Sequence, residues 1–593
     1  MKEQTPQITL VYDILAYQLG RFPQKRAVNS FKDDQWKSLS TGELIKRVNN
    51  FSCWLISQNL NKGDMVAIMP LQGNPEWLII DFACQQLGVI VVPVHPTSTR
   101  DELDLILKET KPAMLIVADQ NLLLEAQEKT QGSVKIYSLA DNQNQHYLSG
   151  LDHIADQEEI NELMVRKEQV KPDDIFTIMY TSGTSGEPKG VVLTHHNMVS
   201  NILFTLAAFP LEASLKVMSF LPFSHIFERS SCYAYLACGT NIYFVENRDT
   251  FLRDFKSAKP YFTTAVPRVL EKMYDYLYQQ AHSQNLLKKT ITTWAFKVAE
   301  KYYKSKKPGI RLSIKLFIAR IMVLRLWTKQ LGGKLECIVV GAASLRPEIA
   351  RMFSAGKVRI REGYGMTETS PLISLNRFDP GLNRFGTVGI PIPAVNLKID
   401  NPDENGEGEI WVKGPNVTSG YYKRPELNKE VFENGWFKTG DIGKIIDKRF
   451  LQITDRKKDI FKTSTGKYVA PQPLENQLKT SPFIEQAMVI GFNKPFIVAL
   501  IVPNFKNLED WCYEQGIHWT SAQYMTHNIK VVEKIEKEIE EINLIHARYQ
   551  QVKKIHLCYE EWTVDNEALT GTHKLNRNKI MQGYQKDINK LYE

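Results

Sequence analysis

The sequence predicts an α/β fold in which a large N-terminal domain of several subdomains is followed by a small α+β domain. Three observations lead there. Short apolar, β-branched runs, Met65-Val-Ala-Ile-Met69, Gly88-Val-Ile-Val-Val-Pro93 and Ala113-Met-Leu-Ile-Val117, alternate with longer helix-like stretches, which is the rhythm of strand–helix units. The chain has 593 residues, more than one hydrophobic core usually organises. Beyond Asp441 the pattern turns mixed, with short strands at Phe450-Leu-Gln-Ile453 and Ala487-Met-Val-Ile490 and a charged helix over 531–549.

Taken in order, the uncharged run 87–94 is too short to span a bilayer and suits a buried strand. Residues 141–171 are polar and charged and read as a surface connection, closed by Pro172-Asp-Asp174. An apolar strand then covers 175–180, and a helix-like run starts near His195. No fixed-period repeat or low-complexity tract occurs, which excludes solenoid and collagen-like folds.

Composition bounds the function classes. With 43% hydrophobic and 24% charged residues the chain belongs with globular proteins. Seven scattered cysteines form no C-x-x-C pair and read as reduced thiols. The polar start Met1-Lys-Glu-Gln-Thr-Pro6 lacks a secretory pattern, so a cytoplasmic address is expected. A net charge of +8 suits phosphate-rich ligands or an anionic surface without selecting either, and no nucleic-acid partner is expected.

The strongest local signal is Tyr180-Thr-Ser-Gly-Thr-Ser-Gly-Glu-Pro-Lys-Gly190. Gly183 and Gly186 let backbone N–H groups approach an anion, Thr181, Ser182, Thr184 and Ser185 offer hydroxyl donors, and Lys189 adds positive charge. The common nucleoside-triphosphatase loop needs glycine where Pro188 stands, so that reading fails. A Ser/Gly turn without ligand is the plain alternative.

Extended through Val191-Val-Leu-Thr-His195, this segment resembles the signature of the acyl-adenylate-forming superfamily, which includes acyl-CoA synthetases. The resemblance runs from the strand before the loop to the last twenty or so residues. It implies a large adenylate-forming domain, 1–455, and a small mobile lid, 456–593, with ATP and Mg²⁺ as cofactors and coenzyme A as co-substrate. In Glu362-Gly-Tyr-Gly-Met-Thr-Glu-Thr369 it implies that Tyr364 stacks on adenine beside Gly365, that Thr367 bonds the α-phosphate and that Glu368 binds Mg²⁺ with Thr184. A planar ring and a hard carboxylate oxygen suit those tasks. Gly341-Ala-Ala-Ser-Leu345 resembles the small-residue lining of the adenine and acyl pocket, through Gly341 and Ala342.

In Trp436-Phe-Lys-Thr-Gly-Asp441 the resemblance makes Asp441 the ribose anchor, a task for which a carboxylate accepts two hydrogen bonds. In Asp455-Arg-Lys-Lys-Asp459 it gives Arg456 to the ribose and makes Lys458 the hinge. Leu569-Thr-Gly-Thr-His-Lys-Leu-Asn-Arg577 is similar to the closing motif that carries the adenylation lysine, here Lys574, with Gly571 where proline is commoner. Attack of a carboxylate on a phosphate brings two anions together, so positive charge is needed in the transition state.

Leu221-Pro-Phe-Ser-His-Ile-Phe-Glu-Arg229 narrows the likeness to long-chain acyl-CoA synthetases and places His225 near the substrate carboxylate. Pro260-Tyr-Phe-Thr-Thr-Ala-Val-Pro-Arg-Val269 is similar to their acyl tunnel border. The expected reaction activates a long-chain fatty acid as acyl-AMP and passes the acyl group to coenzyme A. A carrier-protein acceptor, an aryl acid or a non-catalytic sensor are the competing readings, and Lys574 with Glu368 speaks against the last. Residues 294–330 carry ten Lys and Arg but only Glu300 as acid, interleaved with Leu, Ile, Phe and Trp. Such a segment either lies on an anionic bilayer as a peripheral contact or packs on the large domain as an ordinary amphipathic helix. The oligomeric state is not legible.

Overall fold

The computed structural model describes residues 7–139, 146–181, 187–247, 249–282, 286–302, 309–464, 467–570 and 574–593. Its backbone packs into two compact units, Met1–Leu397 with Val412–Phe437, and Lys398–Trp411 with Lys438–Glu593.

In the first unit the apolar runs become strands Met65–Met69, Ile90–Pro93 and Met114–Val117. They are parallel neighbours in a six-stranded sheet that continues through Ile175–Thr181 to Lys189–Thr194. Near-continuous apolar strands are what a parallel sheet covered on both faces requires. A nine-stranded sheet forms the other layer, with Lys216–Ser219, Phe262–Ala265, Cys337–Val340 and Arg359–Gly365 parallel at its centre and antiparallel strands at its edges.

Both sheets share one core, which holds Val66, Val91 and Phe176 from the first, Val217, Phe262 and Val339 from the second, and Phe82, Met198 and Tyr233 from helices. Helix Pro75–Gln86 starts on an Asn74 cap with proline in its first turn and buries every residue but Glu76. A helix buried on nearly every side belongs inside such a stack, with its few polar side chains, such as Asp81, paired there.

The second unit closes on a three-stranded sheet in which Ile484–Ile490 runs antiparallel and Val552–Leu557 parallel to the central, wholly buried Ile497–Pro503. Helices Pro471–Leu478 and Ile529–Asn543 share one of its cores, and Arg577–Gly583 with Gln585–Tyr592 another. This is the α+β domain expected beyond Asp441.

One local expectation needs correction and two gain detail. The connection over 141–171 contains helix Gln157–Lys167, started by a reciprocal Asp156/Glu159 capping box. The charged helix ends at Asn543, whose side-chain amide bonds both backbone groups of Val552 and turns the chain into its next strand. The segment after the phosphate loop enters strand Lys189–Thr194 before helix His195–Leu206, so the loop joins the arms of a β-hairpin. Val191-Val-Leu193 was the available signal.

Candidate active site

The hairpin puts Thr181 opposite Lys189 and Tyr180 opposite Gly190. Ser182, Gly183, Thr184, Ser185 and Gly186 lie outside the described residues. From the returning arm, Lys189 Nζ stands 5.7 Å from the ring centre of Tyr421. The Tyr421 hydroxyl donates to Glu368 Oε1 at 2.8 Å, and the backbone N–H of Thr418 donates to the Glu368 carbonyl. One tyrosine thus joins the predicted phosphate cation to the predicted metal ligand. Burial first, and then the neighbouring Glu368, push the Tyr421 pKa far up, so its hydroxyl remains a donor.

Glu368 sits in the short turn Thr367–Thr369 after strand Arg359–Gly365. Gly365 is required there, since a Cβ would lie 2.0 Å from the Pro371 carbonyl oxygen. The turn is held by amides from elsewhere in the chain: Asn416 Nδ2 donates to the Thr369 carbonyl at 2.8 Å, and Asn201 Nδ2 to that of Leu372 at 2.8 Å.

Val340 pairs in register with Glu362 on the adjacent parallel strand, so Gly341 and Ala342 leave the sheet next to Gly363 and Tyr364. Ligands of open α/β sheets bind beyond such carboxyl ends of strands. Ala342 has φ +72°, a left-handed conformation that suits a tight exit from a strand. Glu362 is buried and accepts backbone N–H bonds from Gly386 and Leu345, tying the 341–345 segment to the start of the Tyr364 strand. Burial outweighs those bonds and pushes its pKa up to about 8.

His225 caps helix Ile226–Ala237 at its N-terminus, with its ring 5.2 Å from that of His95. Two residues on, the Phe227 ring lies 3.4 Å from where a Gly341 Cβ would stand. The same helix therefore sets His225 and brings the Phe227 ring into van der Waals range of residue 341. Behind it Arg229 is fully buried, donating to Asp81 through Nε at 3.0 Å and again through NH2, and to Thr177 Oγ1 at 2.7 Å. Thr177 lies on the strand that leads into the phosphate loop and itself donates to the Val91 carbonyl. Its neighbour Glu228, bonded by Ser219 and Thr264, is pushed up to about 7 by burial.

Within the second unit Asp441 and Arg456 face each other across antiparallel strands, Arg456 Nε 3.4 Å from Asp441 Oδ1. Lys458 is exposed in the turn that follows. Buried Asp455 accepts from its neighbour's N–H at 2.6 Å and from Gln472 N at 3.1 Å, which fixes that turn to helix Pro471–Leu478. Arg577 reaches the same helix through Glu475 at 2.8 Å. Before Lys574, residues 571–573 lie outside the described residues; Thr570 N donates to the Lys574 carbonyl and Leu569 bridges Leu575.

A family model described as AMP-binding enzyme matches residues 15–422, and one described as AMP-binding enzyme C-terminal domain matches 458–593. The chain belongs to the AMP-binding enzymes. It is 30% identical to the long-chain-fatty-acid–CoA ligase FadD15 of Mycobacterium bovis over 94% of this chain and 93% of that protein. It is 32% identical to long-chain-fatty-acid–CoA ligase 1 of Cavia porcellus over 99% of this chain and 87% of that protein. Among solved structures, ATP-bound MatB from Rhodopseudomonas palustris shares its fold with TM-score 0.70 at 22% identity, over 98% of this chain and 100% of that one. The adenylation domain of a carboxylate reductase from Mycobacterium chelonae does so with TM-score 0.74 at 20% identity, over 98% and 91%.

This AMP-binding enzyme carries site-supporting residues that sequence reasoning missed: Tyr421, Asn201, Asn416, Glu362 and the Asp81–Arg229 pair. Tyr421 follows Gly420, whose φ of +138° few other residues adopt, and that Gly-Tyr pair was a faint signal. His195, which ends the phosphate-loop signature, is instead buried. Its Nδ1 accepts the Val11 N–H, and burial pushes its pKa down to about 3, so it stays neutral.

Proposed function

We propose that this chain is an AMP-forming ligase that joins a long-chain fatty acid to coenzyme A. The observation that carries the reading is its kinship, over nearly the whole length, with long-chain-fatty-acid–CoA ligases. The geometry adds support, because Lys189 and Glu368 meet on one tyrosine and Asp441 pairs with Arg456.

ATP lies with its phosphates on the 181–190 loop, held by Thr181, Ser182, Gly183, Thr184, Ser185, Gly186 and Lys189. Its adenine lies against Tyr364 and Gly365, with Gly341 and Ala342 leaving room, and Thr367 bonds the α-phosphate. Asp441 and Arg456 take the ribose hydroxyls. Among the described residues no three His, Cys, Asp or Glu side chains group to hold a cation by themselves. That suits Mg²⁺, which takes most of its ligands from water and nucleotide phosphates and needs one or two protein oxygens. Glu368 with Thr184 would hold it, and it would neutralise phosphate charge.

The fatty carboxylate, placed near His225, attacks the α-phosphorus, and pyrophosphate leaves. Lys574 supplies positive charge between the two anions. The small domain, beginning near 456, then turns about Lys458 and withdraws Lys574. The coenzyme A thiol attacks the acyl carbon, and AMP departs with the former carboxylate oxygen. A carboxylate is thereby converted into a reactive anhydride shielded from water between steps. Acids of this length reside in bilayers, and residues 294–330 form the part of the molecule that meets a membrane.

Mass spectrometry of products from ATP, Mg²⁺, coenzyme A and acids from acetate to octadecanoate tests the reading. Acyl-CoA with AMP, formed best from long chains, is expected. Acyl-AMP that never becomes acyl-CoA would overturn the acceptor and assign a carrier protein instead.

A further inference from the structure

The basic segment 294–330 folds as separate helical pieces, Leu286–Glu300, Ile310–Ala319, Arg320–Leu324 and Leu326–Gln330. The third is a π-helical turn that continues the second. Their packing decides between the two readings of that segment. From the second and third pieces, Leu316, Ala319 and Leu324 enter a core with Ile349 and Phe353, and Arg320 Nε donates to the Ala355 carbonyl at 2.6 Å. One face is thus firmly seated on the first unit.

The opposite face is also apolar, and it is bare. Ile310, Ile314, Phe317, Ile318, Ile321 and Met322 are all exposed, from 41% at Ile318 to 82% at Ile310. The first five recur at intervals of four, three, one and three residues, so they form one stripe along the helix. A contiguous stripe of large apolar side chains is costly in water and marks a surface that meets something else. Exposed Arg311, Lys315, Arg325 and Lys329 flank it, and the segment's sole acid, Glu300, lies outside these two pieces.

We infer that this stripe, Ile310 to Met322, docks the protein on an anionic lipid surface, with the apolar side chains entering the acyl region and the flanking cations pairing with headgroup phosphates. Charge selects the occupant. Two copies of this face brought together would set basic rims against each other, whereas anionic headgroups complement them. Among the described residues no helix is long and apolar enough to cross a membrane, so the contact is peripheral, the geometry of an interfacial helix. This rests on the reading of the substrate as a long-chain acid, which such a surface would collect where it is concentrated.

The test is sedimentation of the full chain with phosphatidylglycerol and with phosphatidylcholine vesicles, for wild type, the triple variant I314D/F317D/I321D and the charge variant R311E/K315E. All these positions are exposed, so folding should be kept, and thermal midpoints check it. Wild type should partition onto anionic vesicles far more than onto neutral ones, and each variant should lose about tenfold or more of that binding. Variants that bind like wild type, or a wild type that ignores anionic vesicles, overturn the inference. So does a wild-type dimer that the triple variant turns into a monomer in analytical ultracentrifugation, which assigns the stripe to a second copy. Acyl-CoA formation from dissolved dodecanoate, measured on the same samples, separates the two readings. Vesicle binding without ligase activity sinks the proposed reaction alone, and activity without binding sinks the stripe alone.

Discussion

Tyr421 is the residue on which the two best sequence motifs meet, one through Lys189 and one through Glu368. A hydrogen bond to a charged group contributes about 1.5–3 kcal/mol, so Tyr421→Phe should raise the KM for Mg·ATP on the order of tenfold. Initial rates at varied Mg²⁺ check this, and an unchanged KM contradicts it. Glu362 carries a pH prediction. Its folded pKa of about 8 lies above the ordinary value of 4.5, so the folded state holds the extra proton between them. That contribution to stability is complete below about pH 4.5 and is lost as pH rises to about 8. Glu362→Gln keeps one acceptor oxygen and removes the titration, so its thermal midpoint should fall less than wild type's over that window. Parallel curves would contradict the assignment. The motif residues were legible because short spacings carry them. Tyr421, Asn201 and Asn416 were not, because they reach the Glu368 turn from segments some 50 to 170 residues away, as in the Tyr421–Glu368 and Asn201–Leu372 bonds.

Helix Ile226–Ala237 shows how an element sets a site from behind. It presents His225 and Phe227 at one end, while Arg229 ties it to Asp81 and to the strand entering the phosphate loop. Removing one member of a buried pair strands the other's charge at about 3–5 kcal/mol, whereas an apolar replacement of both is often neutral. Arg229→Met should therefore lower the thermal midpoint strongly, and Asp81→Leu/Arg229→Met should recover most of the loss. A double variant no better than the single one would contradict this role. The Arg229 motif was visible in the sequence, but its partner was not, because a lone Asp81 inside an apolar helix has no periodic signature. Helix 310–319 was legible as amphipathic for the same reason its docking was not: pattern shows two faces, and only packing shows which one is covered.

At the scale of the whole molecule, alternation of apolar runs gave the α/β layers and the change of pattern beyond Asp441 gave the α+β unit. Strand order was beyond sequence reasoning, since both sheets are assembled from non-consecutive strands. The proposed reaction divides its labour between the units. Replacing Lys574 by Ala should slow adenylation by about 10² to 10³-fold, the usual loss for one charge-stabilising donor, while thioester formation from supplied acyl-AMP continues. Equal loss of both half-reactions would contradict that division. The acyl-adenylate itself is tested most directly by an oxygen-18 trace, with a long-chain acid labelled in both carboxylate oxygens, ATP, Mg²⁺ and coenzyme A. AMP carrying a single oxygen-18 for each acyl-CoA formed is the expected result, because the attacking carboxylate oxygen stays on phosphorus when the thiol takes the acyl carbon. Unlabelled AMP, or label in ADP or inorganic phosphate, would contradict it.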